Sequence, residues 1–238
     1  MAVSTILSPK ELTGAPKEEY YKSDSVASLR VNLDAFSPLM FINSVVSLTR
    51  ASEEPGPVDI RNFYDAFENM ACRRGEYSGY PSIMFHTSDW IGDHISRGNI
   101  VELTENYPGM IARTKSLDEM TRKRGDFAAL ADSATFETVR MTEMGFRTHR
   151  VPTLKKEIIK KKELTEDLRN GDIIILVPNR DGIDMYDIGF VSVEDGVPHL
   201  IHLSPVTGQV TEETEDLARY MQLMTKHFQG FRLLRLRD

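Results

Sequence analysis

The 238-residue sequence contains a single cysteine, Cys72. An intramolecular disulfide is therefore excluded, and so are the Cys-x-x-Cys pairs of zinc and redox sites. Positive charge is also short: the formal net charge is −7. That balance argues against a general nucleic-acid or anionic-membrane binder. Long apolar runs are missing. The stretch Leu39–Thr49 is about half of the ~20 residues that a bilayer span needs, so no membrane span is expected. Neither standard glycine-rich phosphate loop occurs. At the N-terminus no basic residue precedes the short apolar stretch Val3–Leu7, and Pro9, Lys10 and Glu11 end it. This does not read as a secretory signal, so synthesis in the cytoplasm is the expectation.

Core-forming material is plentiful. Hydrophobic residues make up 40% of the chain and charged residues 27%, which excludes global disorder. At roughly 150 residues per domain, one large domain is expected rather than two equal ones. We read residues 1–28 as an extended, polar N-terminal arm. Residues 29–238 read as one domain with a helical insertion around 107–165.

The strongest helical signal is FSPLMFINSVVSLTRA (36–51). Ser37 suits the N-cap, and Pro38 suits the first helical position, where its missing N–H costs nothing. The residues that follow are too apolar for an exposed helix, so this helix is predicted to be buried. SEEPGPVD (52–59) breaks it, and a second helix is predicted over Ile60–Cys72. SDW opens a third, running through Ile95, with Ser88 or Asp89 as its cap. Short helices are predicted around 116–123 and 126–133, and a charged one from Thr153 to about Leu164. The last third changes character. Asp172–Pro178, Asp187–Val193 and Pro198–Leu203 read as successive strands, with a tight hairpin at Asp195-Gly196. A helix near Thr214–Lys226 and a strand at Gly230–Leu236 close the chain. Helices followed by a mostly antiparallel sheet make an α+β pattern.

Most of the reactive residue types read as structural. Cys72 falls at the end of a predicted helix and reads as a packed thiol. The six histidines are at 86, 94, 149, 199, 202 and 227. His199 and His202 are three apart on a predicted strand and point to opposite faces, which is poor metal-ligand spacing. Neither a metal nor a cofactor is expected. KKEIIKKK (155–162) reads as a solvated helix face, because Glu163, Glu166 and Asp167 follow it. Trp90, Phe85 and Tyr80 suit a core better than a groove.

Several blocks together resemble a known family. They are LRVNLDAFSPLMFINSVVSLTRA (29–51), RRGEYSGYPSIMFHTSDWIGDHISRGNIVELT (73–104), LRNGDIIILVPNRDGIDMYDIGFVSVEDGVPHLIHLSPVTGQV (168–210) and the closing GFRLLRL. In this order they resemble bacterial N-acetylmuramoyl-L-alanine amidase-like proteins of the NlpC-type, papain-like cysteine hydrolase clan. The resemblance covers about two-thirds of the chain. It implies a papain-like (NlpC-type) fold whose N-terminal buried helix packs on a C-terminal, mostly antiparallel sheet. It also implies an activity, cleavage of amide bonds in peptidoglycan stem peptides. In the family a cysteine opening the first helix is the nucleophile, stabilised as thiolate by the helix N-terminus. A histidine on one sheet strand is the base, and a polar residue on the next strand orients it.

Alignment with that pattern puts Ser37-Pro38 where the family has Asp-Cys, and Asp187 where it has the base histidine. The third position is retained as His202. A proline cannot attack a carbonyl, so the resemblance implies a catalytically degenerate site at Pro38, Asp187 and His202. Ser37, Ser88, Asp89, Trp90 and Ser204 are the expected lining of the old cleft. The leading expectation is a non-enzymatic structural or binding subunit, such as a component of a phage virion or another particle. Protein partners or self-association would then use the N-terminal arm as a docking segment. An active peptidoglycan amidase or endopeptidase with a rebuilt site, and a module that binds cell-wall peptide without cutting it, both stay open. If the old geometry persists, Pro38 should face Asp187 and His202.

Overall fold

The computed structural model describes residues 9–18, 22, 28–53 and 59–237. Its helices are α1 (Pro38–Glu53), α2 (Ile60–Ala71), α3 (Thr87–Ser96), α4 (Glu119–Arg122), α5 (Ser133–Met144), α6 (Lys162–Asp167) and α7 (Leu217–Leu223). Its strands are β1 (Ile100–Glu102), β2 (Met110–Lys115), β3 (His149–Leu154), β4 (Ile173–Pro178), β5 (Asp187–Glu194), β6 (Val197–Leu203), β7 (Val210–Glu212) and β8 (Phe228–Leu236). Seven strands run in the order β2-β3-β8-β4-β5-β6-β7, and β1 pairs with β8. Every pairing is antiparallel, so the fold is mixed α+β.

The sheet has an apolar layer on each face, because alternate residues of its strands point to opposite sides. On one face Ile188, Phe190, Ile201 and Leu203 pack with Leu39, Phe41, Ile42, Val45 and Val46 of α1. Phe41 meets Phe190 edge-on, with ring centroids 5.8 Å apart. Each of these buried side chains contributes roughly 1.5–3 kcal/mol of transfer free energy. On the other face Ile174, Leu176, Val191 and Leu200 pack with Leu217, Tyr220 and Met221 of α7.

Helix α1 is buried around most of its circumference, and its buried Asn43 and Ser47 find partners while the Ser44 hydroxyl has none among the described residues. Asn43 Oδ1 accepts the Trp90 indole N–H at 2.9 Å, and Ser47 donates to the Asn43 carbonyl. The Asp195-Gly196 turn has positive φ at both residues (50° and 79°), as a two-residue hairpin of the right twist requires. Gly189 is needed for another reason. A Cβ there would lie 2.6 Å from the Ile201 carbonyl oxygen and 2.7 Å from His202 Cβ.

Three expectations change. The region 107–165 is not a purely helical insertion, since β2 and β3 lie in it and join the sheet. The charged helix expected from Thr153 is instead β3, a 3-10 turn at Lys156–Lys160 and the short α6. Val151 and Leu154 are fully buried in the strand, and tertiary burial outweighs the helical preference of the lysine run. The helix expected near 126–133 is two 3-10 turns, and the real helix, α5, begins at Ser133, where Asp132 caps Thr135 N–H at 2.7 Å. The described part of the arm is docked on its own chain. Gly14 N–H donates to Val210 O, Lys17 N–H to Gly208 O, and Lys10 pairs with Glu194 and Glu212. The rest of the arm lies outside the described residues. Among the described residues no helix is long and apolar enough to cross a membrane.

Candidate functional site

A cavity of about 270 Å³ opens at the N-terminus of α1. Ser37 and Pro38 form part of its wall, and His86 and Thr87, at the start of α3, form another part. The loop before β5 supplies Asp184 and Tyr186. The geometry follows from two helices that converge on one place. Ser37 stands at the cap position of α1, where its carbonyl accepts the Phe41 N–H at 2.9 Å. The cap of α3 is not the Ser88 or Asp89 expected from sequence. His86 takes the cap position, and the Asp184 carboxylate, from far along the chain, accepts the N–H groups of Thr87 and Ser88. A carboxylate there complements the helix dipole.

His86 Nε2 lies 2.8 Å from Glu143 Oε1. Glu143 also accepts the N–H groups of Met120 and Thr121, both at 3.0 Å, and the Thr121 hydroxyl. Burial, the largest single influence, pushes His86 down, but the hydrogen bond to Glu143 together with the charges of Asp184, Glu143 and Asp89 raises the imidazole above its ordinary value. The converse holds for Glu143. Burial opposes its ionisation, yet His86 and Thr121 hold it below the usual carboxylate range.

Pro38 does not face Asp187 and His202. Neither residue lines the cavity, and strand alternation puts both on the sheet face that packs against α7. There His202 Nδ1 lies 2.8 Å from Asp187 Oδ2, and His202 Nε2 lies 2.8 Å from Glu213 Oε1. The Tyr220 hydroxyl donates to the same Asp187 oxygen at 2.7 Å, and its ring meets the imidazole edge-on. His202 is 0% exposed. Burial opposes its charge, but Asp187 first and then Glu213 overcome that and hold its pKa up at about 9. At neutral pH it is an imidazolium with both ring nitrogens engaged. Tyr220 is pushed far above an ordinary phenol by burial and by the Asp187 charge.

The other expected cleft residues are placed elsewhere by packing. Trp90 is fully buried and shares its indole N–H between Asn43 and the Met70 carbonyl. Asp89 pairs with Arg73 at 2.5 Å, and the buried Ser88 hydroxyl receives Arg232 at 3.2 Å. Ser204 is buried and accepts from Val206 N–H. None of the four lines the cavity. Cys72 is fully buried in a separate apolar cluster, and burial pushes its thiol up to about 12, which makes it unreactive. Sequence reasoning missed His86, Thr87, Glu143 and Asp184 as one site. Phe85, read as core, also lines the cavity. Among the described residues no group of three or more His, Cys, Asp or Glu side chains is placed to hold a metal.

Comparison with solved structures shows the same fold elsewhere. An N-acetylmuramoyl-L-alanine amidase from Bacteroides uniformis ATCC 8492 superposes with a TM-score of 0.84 at 20% identity, covering 97% of each chain. A Bacteroides fragilis protein named provisionally as a xylanase gives 0.82 at 22% identity, over 96% of this chain and 99% of that one. The protein LPG0564 from Legionella pneumophila str. Philadelphia 1 gives 0.71 at 14% identity, over 97% and 87%. No curated protein matches in sequence. These likenesses speak to fold alone, but a family model spans residues 17–227, from the docked arm to the edge of β8. On that span, which includes both the cavity and the buried His202 cluster, the chain belongs to the AmiA-like, N-acetylmuramoyl-L-alanine amidase-like family.

Proposed function

We propose that this amidase-like chain has lost the cysteine-hydrolase reaction of the papain-like clan it resembles and works by binding instead of cutting. The observation that carries this reading is Pro38, in the cavity wall at the first turn of α1, where the resemblance calls for a thiolate. A pyrrolidine ring has no nucleophile. Asp187, which the resemblance aligns with the base, does not line this cavity; it is 2% exposed on the other sheet face, where His202, Tyr220 and the Ile188 N–H take up its carboxylate. His202 carries its proton already and cannot accept another. Loss of general-base catalysis alone removes about 10²–10⁴-fold of rate. With the nucleophile also gone, the covalent route has no first step.

A second reading, a rebuilt hydrolytic site, is favoured by one observation: Ser37, Thr87 and His86 line one cavity, and Glu143 holds His86 without lining it. In that reading a hydroxyl would attack and His86, oriented by Glu143, would take its proton. Incubation of purified protein with a muramoyl-L-alanyl peptide, followed by mass spectrometry, separates the two. No release above the protein-free control is expected. Release that disappears in His86→Ala would establish the rebuilt site and overturn the first reading.

A further inference from the structure

The two edges of the sheet end differently. On one, the arm lies along β7: Gly14 N–H donates to Val210 O, Val210 N–H donates to Ala15 O, and Pro16 bridges Gln209. The other edge is β2, which ends the strand order. Strand β3 takes one side of it, and among the described residues no backbone group from elsewhere bonds to its outer side. Strand β2 therefore offers an incoming chain a row of N–H and C=O groups.

Charge is concentrated at this edge. Strands β2 (MIARTK) and β3 (HRVPTL) hold Arg113, Lys115 and Arg150 and no carboxylate, although the whole chain carries −7. Lys115 is buried and spent on the Pro178 and Arg180 carbonyls, with Asp181 at 3.6 Å. Arg113 is not spent. It is half-buried, its guanidinium has no ion pair among the described residues, and its Nε is closed off from water without an acceptor. A buried donor of that kind is costly until an acceptor reaches it. Arg150, opposite Thr114, is exposed and has no carboxylate partner among the described residues.

We infer that β2 is a docking edge for an extended acidic segment of a partner protein, which adds as a further strand and sets a carboxylate against Arg113. The backbone groups supply the ladder, and the guanidinium selects Asp or Glu beside it. Charge argues against a second copy as the occupant, because the same edge would set its arginines against these. No residue of β2 or β3 lines the cavity, so docking here is independent of whether the cavity cuts or binds.

Amide hydrogen exchange of the full chain, with and without the acetylated peptide TEVEVET, tests it. At ~1 mM the peptide is expected to slow exchange of the outward-facing amides within 110–115 by about tenfold, with Kd of about 0.1 mM at low salt. The charge-reversed peptide TKVKVKT should bind at least about tenfold more weakly. Arg113→Gln should weaken TEVEVET about tenfold without lowering the thermal midpoint, because it removes an unmet donor, and Arg150→Gln should weaken it less. No slowing across 110–115, equal affinity for the two peptides, or unchanged binding by Arg113→Gln would overturn the proposal. So would a uridine hexanucleotide that binds as well as TEVEVET, since the edge would then be a surface for any polyanion. Self-association of Arg113→Gln, with no peptide bound by the wild-type chain, would make the arginine a guard against edge pairing and overturn it too.

Discussion

Replacing His202 with glutamine removes the one cation that Asp187 and Glu213 share in the interior. In the folded chain this imidazole titrates at about 9, against an ordinary value of 6.5. At 1.36 kcal/mol per pH unit that difference amounts to about 3 kcal/mol of stability. The sign follows from the direction. A folded pKa raised above the unfolded one stabilises fully below about pH 6.5, and this stability is lost as pH climbs through about 9. Cys72, held up at about 12, also costs stability once unfolded thiols ionise near pH 9, but both proteins share that loss. The difference between the wild-type chain and His202→Gln therefore isolates the imidazole. Urea unfolding across about pH 6 to 9.5 should show a gap of about 3–5 kcal/mol at the acid end, because the variant leaves Asp187 buried without its cation. The gap should shrink by about 3 kcal/mol at the alkaline end. In a chain of this size each kcal/mol moves Tm by about 2–4 °C, so the acid-end gap is readable by melting as well. A gap that stays constant across this range would refute the buried imidazolium.

The remaining predictions use other groups. His94 is buried, donates Nε2–H to the Met70 carbonyl and is pushed down to about 4, mainly by burial. Its contribution should be present above about pH 6.5 and fall away towards pH 4, by about 3 kcal/mol, and His94→Asn should abolish that acid slope in the same urea series. Phe41→Ala should cost about 3–5 kcal/mol in urea unfolding at neutral pH, since the ring is fully buried against Phe36 and Phe190. Gly189→Ala should cost at least about 1–3 kcal/mol, because the new methyl meets the β6 backbone, and an unchanged midpoint would contradict the β5–β6 register. Native protein should not react with a thiol reagent, while Pro38→Cys should label rapidly at its cavity-facing helix N-terminus; silence from the variant would place residue 38 away from solvent.

Local pattern was readable from residues alone. The Ser37-Pro38 start and the apolar run after it describe α1 to within two residues of its end. The short apolar runs of β4, β5 and β6, with the Asp-Gly turn, place the central strands to within a residue at each end. Where local pattern was weak, the reading failed. α5 buries only Val139 and Glu143, so it has no apolar stripe to announce it, although Asp132 followed by Thr135 is a usable cap signal. β3 was hidden by the lysine run behind it, and its pairing with β2 spans a segment that includes α4 and α5.

By itself the sequence determined which elements could form, and it put a proline at the head of the buried helix. It also determined the charge balance, which is set by composition and needs no fold. Only the tertiary structure decided which side chains meet. Glu143 reaches His86 across 57 positions, and Asp184 reaches Thr87 across 97. The same packing turned Asp187 and His202 away from Pro38 and closed them in with Tyr220 and Glu213. Periodicity and caps report neighbours within a few residues along the chain. A cavity is made by the ends of elements that no local period links, so its contents depend on how the layers pack.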